Sequence, residues 1–288
     1  MIYDPKTNRF PYPLDTATHY LKNKKDDRTI FDKDYPYLDK TKKFKRKRFF
    51  FRLVLRLIVL PITRIRLNLK IKGRSNLKKY KDILKDGVIT VSNHVHMWDF
   101  LAIIKALKHI DTNVLVWDRN MTGENKTLVK YIGGIPIPNN DFSASIAFNN
   151  ILEELLRNKG WLHVYSEGSM WEFYQPIRPF KEGAAYYAIK NNKPILPLAF
   201  SYRKNGFIRS KIFNSPASFT ITIGEPIFPN LDNPLKDEKR RLTELTHDEV
   251  CKLAGIDPDK NIYEKIYNKS KRIDYYTDTY GVGYKKSW

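Results

Sequence analysis

A short stretch at residues 92–100, SNHVHMWDF, brings together side chains that could move a proton. Four residues separate His94 from Asp99, and the preceding segment GVITVS is typical of a short buried strand. In an α/β sheet, ligands bind outside the carboxyl ends of the strands, where this stretch would lie. A carboxylate that holds one imidazole nitrogen leaves the other nitrogen to act as a general base. The spacing therefore predicts that His94 is a base and that Asp99 orients it.

The same stretch allows two other interpretations. His96 lies two residues from His94 and, on an extended segment, would point the same way, so it could compete for the role of base. A zinc site made of His94, His96 and Asp99 is also conceivable. No further cluster of ligand residues supports it, and we expect no metal.

Three later segments strengthen the interpretation of His94 and Asp99. They are IGGIPIP at 132–138, YSEGSMW at 165–171 and KPILPLAF at 193–200. Taken in this order after His94 and Asp99, they resemble the four motifs of the glycerolipid acyltransferase family, which includes the lysophosphatidate acyltransferases. The resemblance covers residues 68–228 in outline.

This resemblance implies an O-acyltransferase that acts in phospholipid biosynthesis or remodelling. The enzyme would move a fatty acyl group from an acyl thioester to the hydroxyl of a lyso-phospholipid or related glycerolipid. His94 would take the proton from that hydroxyl, and Asp99 would orient the imidazole. The resemblance implies acyl-ACP or acyl-CoA as the co-substrate, with no bound cofactor.

The resemblance also gives expected roles to residues outside the opening stretch. The expected acceptor-binding residues are Glu167, Gly168, Ser169, Arg178 and Lys181. The expected supporting residues are Asn93, Gly134, Ile135, Pro194 and Pro197, of which the two prolines would shape the wall of the site.

Two positions depart from the family pattern, which commonly has arginines that hold the phosphate of the acceptor. This chain has Asn139 and Met170 there instead. Arg178 and Lys181 lie close downstream and could replace the missing arginines, since a guanidinium binds phosphate with a planar fork of donors. Otherwise the acceptor is a different lyso-lipid or a non-phosphate lipid such as a glycolipid.

The charge of the chain favours a polyanionic partner. Lys and Arg total 52 against 31 Asp and Glu, a formal net charge of +21 in 288 residues. Such an excess suits an anionic membrane surface or a nucleic acid. A basic protein that binds one of these without catalysis is therefore an alternative. The sequence contains no recognised nucleic-acid motif, and we expect no nucleic acid as a partner.

The basic residues are concentrated in KTKKFKRKRFFFRLVLRLIVL at residues 40–60. On a helix, Arg48, Arg52 and Arg56 would form one stripe, because they are four residues apart, and apolar side chains would cover the rest. This pattern predicts a helix in the bilayer interface whose arginines reach phosphate headgroups. The alternative is a core helix with one solvated stripe. The expected membrane-binding residues are Lys45, Arg46, Lys47, Arg48, Arg52, Arg56, Phe49 and Phe50.

No stretch approaches the roughly 20 apolar residues of a spanning helix, and no signal peptide is recognisable. A single cysteine rules out an intrachain disulfide, which suits a reducing compartment. We therefore expect a peripheral, monotopic protein on the cytoplasmic face of the cell membrane.

From residue 68 onward, predicted strands alternate with predicted helices, which is typical of an α/β fold. We expect a central mixed, largely parallel sheet flanked by helices, with an N-terminal amphipathic membrane-interface helix. Four parts follow along the chain. They are a polar N-terminal extension (1–40), the basic interfacial helix (41–67), the acyltransferase domain (68–255) and a Tyr- and Lys-rich tail (256–288).

Overall fold

A seven-stranded sheet forms the centre of the computed structural model, which describes residues 29–260 except 110, 123–125, 139–140, 175, 206, 208 and 210–216. The strands are β1 (Lys70–Lys72), β2 (Val88–Ser92), β3 (Asn113–Trp117), β4 (Gly134–Ile137), β5 (Trp161–Tyr165), β6 (Ile195–Lys204) and β7 (Ala217–Ile223). Their order across the sheet is β1-β7-β6-β2-β5-β3-β4. The β6–β7 pair is antiparallel and the other pairs are parallel, which confirms the expected mixed, largely parallel sheet.

GVITVS lacks the alternation of polar and apolar residues that marks a strand with one exposed face. The position of β2 in the sheet explains this. β2 pairs with β5 on one side and with β6 on the other, and all five of its residues are buried. A parallel strand covered on both faces needs apolar side chains in both directions. The carboxyl end of β2 therefore opens at an edge of the sheet between two neighbouring strands.

The helices flank this sheet, as expected for the fold. They are α1 (Lys42–Val54), α2 (Leu60–Arg66), α3 (Arg74–Lys79), α4 (Lys81–Leu84), α5 (Asp99–Leu107), α6 (Lys126–Ile132), α7 (Phe142–Arg157), α8 (Gly183–Lys190) and α9 (Leu235–Ala254). Asp141 caps α7 by accepting the backbone N–H groups of Ser143 and Ala144. Gly255 ends α9 with a left-handed φ of 82°.

Two apolar layers cover the two faces of the sheet. Val88 packs in the layer that contains Ile103 of α5, and the next residue of β2, Ile89, packs in the layer that contains Leu152 of α7. Burying each such side chain stabilises the fold by about 1.5–3 kcal/mol. This packing holds α5 against β2 and fixes the start of α5 relative to the end of the strand.

Residues 42–66 form one helical unit, in which a π-helical turn (Leu55–Val59) joins α1 to α2. The backbone N–H of Leu60 bonds to Leu55 O, five residues back. Pro61 follows directly, has no N–H to donate, and would press its ring on the carbonyl four residues earlier. The wider π turn accommodates the proline without ending the helix.

The inward face of this helical unit differs from the expected arrangement. Arg48 Nη2 donates to Asn113 Oδ1 at 2.9 Å, and Arg52, which is 7% exposed, pairs with Asp111. The prediction that Arg48 and Arg52 reach headgroups is therefore wrong. The reason is that their polar partners lie at the start of β3, on the protein side of the helix. Arg56 is exposed, as expected.

The exposed surface of the unit carries a large share of apolar side chains beside exposed arginines such as Arg56. Its exposed large apolar residues, each between 44% and 64% accessible, are Phe49, Phe50, Leu53, Val54, Leu57, Ile58, Ile62 and Ile65, named here the apolar face. Within the described ranges, none of the helices has the length and apolar character that crossing a bilayer requires.

Candidate active site

The stretch that carries His94 lies at the carboxyl end of β2, where residues 93–98 form a loop, the histidine loop, that leads into α5. His94 Nδ1 lies 3.1 Å from Asp99 Oδ2. Asp99 is the first residue of α5 and has no exposed surface. The helix dipole favours a negative charge in this first turn. The structure thus brings together the two residues that the sequence predicted as a base and its orienter.

Two backbone donors fix the carboxyl group of Asp99. Its Oδ2 accepts the N–H of Val95 at 2.7 Å and the N–H of His96 at 2.9 Å. Burial raises the pKa of Asp99, and these two hydrogen bonds oppose that shift. With Oδ2 as acceptor, His94 donates its Nδ1–H and carries the lone pair on Nε2. This is the tautomer that a general base needs.

Burial also sets the protonation state of the imidazole. It lowers the pKa of His94 well below the ordinary histidine value; Glu167 opposes this shift and Arg178 adds to it. The ring stacks on Tyr165 with a centroid distance of 3.8 Å, yet 22% of the side chain stays exposed. His94 is therefore neutral near neutral pH and still reachable, which is the state that accepts a proton.

Glu167 and Arg178 were expected in the acceptor site and instead form a buried ion pair. Arg178 Nη2 lies 2.8 Å from Glu167 Oε2, with 1% and 2% of the two side chains exposed. Glu167 also accepts the backbone N–H of His94 at 2.9 Å and that of Arg178 at 2.8 Å. The pair joins the histidine loop to residues 166–170, named here the third-motif loop.

The rest of the Arg178 side chain is enclosed by the third-motif loop and its neighbours. Arg178 Nη1 donates to Ser169 Oγ at 2.6 Å, and its guanidinium lies 4.4 Å from the centre of the Trp171 ring. Ser169 is 1% exposed. Glu167, Ser169 and Arg178 are thus buried, and their polar groups bond to one another and hold the loops together.

Gly168 and Lys181 lie together at the rim of the third-motif loop, where both are exposed. Gly168 has a φ of 78°, a left-handed conformation that favours glycine. A Cβ at this position would lie 2.7 Å from Lys181 Nζ. The side chain of Lys181 therefore crosses the bare face of the glycine, and it is exposed there.

Asn93 supports the histidine loop through β6. Its Oδ1 accepts the backbone N–H of Phe200 at 2.8 Å, and its Nδ2 donates to Phe200 O at 3.1 Å. Through these two bonds, the side chain of Asn93 continues the pairing with β6 one residue beyond the end of β2. Asn93 thus fixes the backbone on the amino side of His94.

The second-motif residues Gly134 and Ile135 lie in β4, three strands from β2. A Cβ on Gly134 would lie 2.5 Å from the side chain of Val129, and Ile135 is 1% exposed. Both positions serve close packing. Asn139, which follows them, lies outside the described residues, and Met170 is partly exposed in the third-motif loop.

The fourth-motif prolines lie further from His94 than expected. Pro194 O accepts the N–H of Ile89 at 3.1 Å, which puts Pro194 near the amino end of β2, roughly 15 Å from His94 along the strand. Pro197 pairs with Val91 inside the sheet. Parallel pairing aligns the start of β6 with the start of β2, so Pro194 lies at the opposite end of β2 from His94 and Pro197 lies within the sheet.

Glu172 lies beside the histidine loop and was not identified from the sequence. Its Oε1 is 3.9 Å from His96 Nε2, and burial, with Asp99 adding to it, raises the pKa of Glu172 to about 7. His96 accepts the backbone N–H of Trp98 at its Nδ1, and burial lowers its pKa to about 4. One feature of the sequence could have pointed to Glu172. It lies two residues after Met170, the position at which the family commonly has an arginine.

Comparison with known proteins agrees with this geometry. The family model described as Acyltransferase matches residues 68–201. The human 1-acyl-sn-glycerol-3-phosphate acyltransferase beta is 25% identical over 141 residues, which is 48% of this chain and 50% of that protein. The chain thus spans about half the length of this curated relative.

A solved structure shares the fold. The crystal structure of the 1-acyl-sn-glycerophosphate (LPA) acyltransferase PlsC from Thermotoga maritima aligns with a TM-score of 0.51 and 16% identity. The alignment covers 75% of this chain and 84% of that one. Residues 68–201 of this chain match the Acyltransferase family, and the ordered motifs and the paired His94 and Asp99 agree with that match.

Proposed function

We propose that this protein is an O-acyltransferase that moves a fatty acyl group from an acyl thioester to a hydroxyl of a lyso-phospholipid or related glycerolipid. The observation that carries the proposal is the 3.1 Å contact between His94 Nδ1 and Asp99 Oδ2 at the carboxyl end of β2. The family match over residues 68–201 supports it. The reaction belongs to the synthesis or remodelling of phospholipids.

In the proposed reaction, His94 Nε2 takes the proton of the acceptor hydroxyl while the oxygen attacks the thioester carbonyl carbon. The new C–O bond forms a tetrahedral intermediate, which then breaks its C–S bond. The imidazolium returns the proton to the departing thiolate, so the products are an ester and a free thiol. Asp99 stabilises the imidazolium through its bond to Nδ1. A general base of this kind contributes typically 10²–10⁴-fold to the rate.

The surroundings of Cys251 support direct attack without an acyl-enzyme. Cys251 has no exposed surface, lies in α9, and packs with Val250 and Ile177. Burial raises the pKa of its thiol to about 12, far above the range in which a thiolate nucleophile forms. The acyl group therefore passes straight from the thioester to the acceptor.

The donor in this proposal is acyl-ACP or acyl-CoA. Both carriers are acidic, and the net charge of +21 attracts either of them. Assays with the two donors at equal acyl-chain length distinguish them by kcat/KM.

The protein is proposed to lie on the cytoplasmic side of an anionic membrane as a peripheral protein, and the apolar face supports the contact with the membrane. Eight exposed apolar side chains on one helical unit form a surface suited to the acyl region of a bilayer. Exposed cations flank it, including Lys45, Arg46, Lys47 and Arg56. Each cation near an anionic surface contributes about 1 kcal/mol of attraction.

The decisive experiment measures free thiol released from acyl-CoA or acyl-ACP in the presence of lyso-lipid. We expect His94→Ala to lower turnover by about 10²-fold or more, with an unchanged circular dichroism spectrum. His109→Gln is the matched control, because His109 follows the far end of α5 from Asp99. Wild-type turnover in His94→Ala would overturn the proposed base.

A second candidate differs in the acceptor, which would lack a phosphate group, as in a glycolipid. The observation that favours it is the enclosure of Arg178 against Glu167, together with the carboxyl of Glu172 near the histidine loop. Lys181→Gln separates the candidates. It raises the KM for lysophosphatidate several-fold if the rim ammonium holds a phosphate, and leaves the KM for a monoacyl glycolipid unchanged.

A further inference from the structure

A basic cleft of about 290 Å³ opens where α2 turns into β1. Its lining includes four cationic side chains, those of Arg64, Lys70, Arg74 and Arg203, and no acidic residue among the described ones. None of these four residues belongs to the motifs of the family or to the site around His94.

Two of the cations are held in place by neutral partners. Arg74 donates to Ala106 O at 3.1 Å and to Lys105 O at 2.6 Å. Arg203 donates to Thr220 Oγ1 at 3.0 Å and to Phe219 O at 3.1 Å. Carbonyl and hydroxyl oxygens orient a guanidinium without cancelling its charge. The cleft is therefore organised before a ligand arrives, and its positive charge is left for an anion.

The cations of the cleft also act on one another. Burial lowers the pKa of Arg74, and the charge of Arg64 lowers it further. Burial lowers the pKa of Arg209 as well, and the charge of Arg203 lowers it further. Arg209 also donates to the backbone carbonyl of Arg66 at the end of α2. Like charges held this close disfavour one another, and a bound anion relieves that repulsion.

The cleft is too far from His94 to hold the phosphate of the acceptor being acylated. β1, which carries Lys70, lies three strands from β2, roughly 14 Å across the sheet. Arg203 lies on β6, next to β2, but its guanidinium is bonded on the opposite side, to Thr220 and Phe219 of β7. The phosphate of a monoacylglycerol phosphate lies only a few bonds from the reacting hydroxyl. A ligand in the cleft is therefore a second molecule.

The cleft adjoins the apolar face. Arg64 lies between Ile62 and Ile65 on α2, and both isoleucines are exposed. If the apolar face enters the acyl region, this end of α2 reaches the headgroup level, where phosphates are concentrated. We propose that the cleft binds the headgroup phosphate of a bilayer phospholipid that is not a substrate. The proposal rests on the membrane docking described under the proposed function.

The test uses the full chain and a double variant, Arg64→Gln with Lys70→Gln, whose two side chains are exposed. The matched control, Lys236→Gln with Lys252→Gln, removes the same charge from exposed positions on α9. Flotation with phosphatidylglycerol–phosphatidylcholine vesicles measures affinity. We expect a loss of roughly tenfold in the cleft variant and little change in the control. Equal losses in both variants would overturn the proposal.

Inorganic phosphate separates a lipid headgroup from a free anion. If phosphate raises the melting temperature of the wild type but not of the cleft variant, while both bind vesicles equally, the ligand is free phosphate and the lipid assignment is wrong. Thiol release with micellar lyso-lipid reports the acyltransferase reaction independently. If the wild type releases thiol but does not bind vesicles, the proposed membrane docking and the lipid site are wrong, while the proposed acyl transfer is supported.

Discussion

The guanidinium of Arg178 lies 2.8 Å from the carboxylate of Glu167, and this ion pair joins the third-motif loop to the histidine loop. Both side chains are almost completely buried. Attraction in such a place is offset by the loss of hydration of both charges, so the pair itself adds little net stability. Removing one partner, however, leaves an uncompensated charge inside the protein.

The first prediction is that Arg178→Met lowers the free energy of unfolding by about 3–5 kcal/mol, because Glu167 is then left buried without its cation. Urea unfolding followed by circular dichroism measures the loss. Lys181→Met is the control, since it removes an exposed cation three residues away and should change stability by about 0.5 kcal/mol or less. Equal effects of the two substitutions would contradict the assignment of Arg178 to the interior.

A double-mutant cycle sharpens this prediction. Glu167→Gln combined with Arg178→Met leaves neither of these two positions charged, so the double variant should be less destabilised than the sum of the single variants. Strict additivity would mean that the two side chains do not interact.

The second prediction concerns the charge of Asp99. Its Oδ2 faces His94 Nδ1 and the N–H groups of Val95 and His96 together, so in Asp99→Asn an amide oxygen in that place can accept all three. The tautomer of His94 is then kept, but the imidazolium that forms in the reaction loses its negative partner. We expect kcat to fall on the order of 10–100-fold, because a hydrogen bond to a charged partner contributes about 1.5–3 kcal/mol, with little change in unfolding free energy. Near-wild-type kcat in this variant would show that the charge of Asp99 does not stabilise the imidazolium.

The sequence predicted His94 and Asp99 as a pair because both lie in one turn, where local spacing determines distance. It did not predict the pairing of Arg178 with Glu167, since that contact depends on how the segment after the third-motif loop folds back. The helical spacing likewise showed that Arg48 and Arg52 share a face. It could not show that this face lies inward, because their partners Asn113 and Asp111 are distant in the chain.

For the sheet, too, the features that depend on local sequence could be predicted, and those that depend on distant residues could not. Apolar runs and glycine-bounded helices indicated each strand and its alternation with helices. The reversal between β6 and β7 had no local signal, because it depends on which edge of the sheet the returning strand joins. The cleft lies beside β1, which pairs with β7, so its place likewise had no local signal.

The third prediction concerns Glu172 and the stability of the fold as pH changes. The pKa of Glu172 is raised from 4.5 to about 7, so the folded protein binds this proton more tightly than the unfolded chain. Below pH 4.5, Glu172 contributes fully to the free energy of unfolding. This contribution, at most about 3 kcal/mol, is lost as the pH rises through about 7. Glu172→Gln should flatten this decline.

Urea unfolding at several pH values between 4.5 and 8 measures the effect of Glu172→Gln. Glu244→Gln is the control, because Glu244 is exposed on α9. If the wild type and Glu172→Gln show parallel pH profiles, Glu172 ionises alike in the folded and unfolded states.

The fourth prediction concerns the apolar face. Phe50 and Leu57 are 60% and 64% exposed, so Phe50→Ser combined with Leu57→Ser should leave the unfolding free energy nearly unchanged. On a bilayer the same side chains would leave water, and each would contribute about 1.5 kcal/mol or more. The double variant should therefore bind anionic vesicles at least about tenfold more weakly in co-sedimentation.

Phe142→Ser combined with Leu231→Ser removes exposed apolar side chains elsewhere and should bind like the wild type. Equal binding by all three proteins would exclude the apolar face as the contact with the membrane.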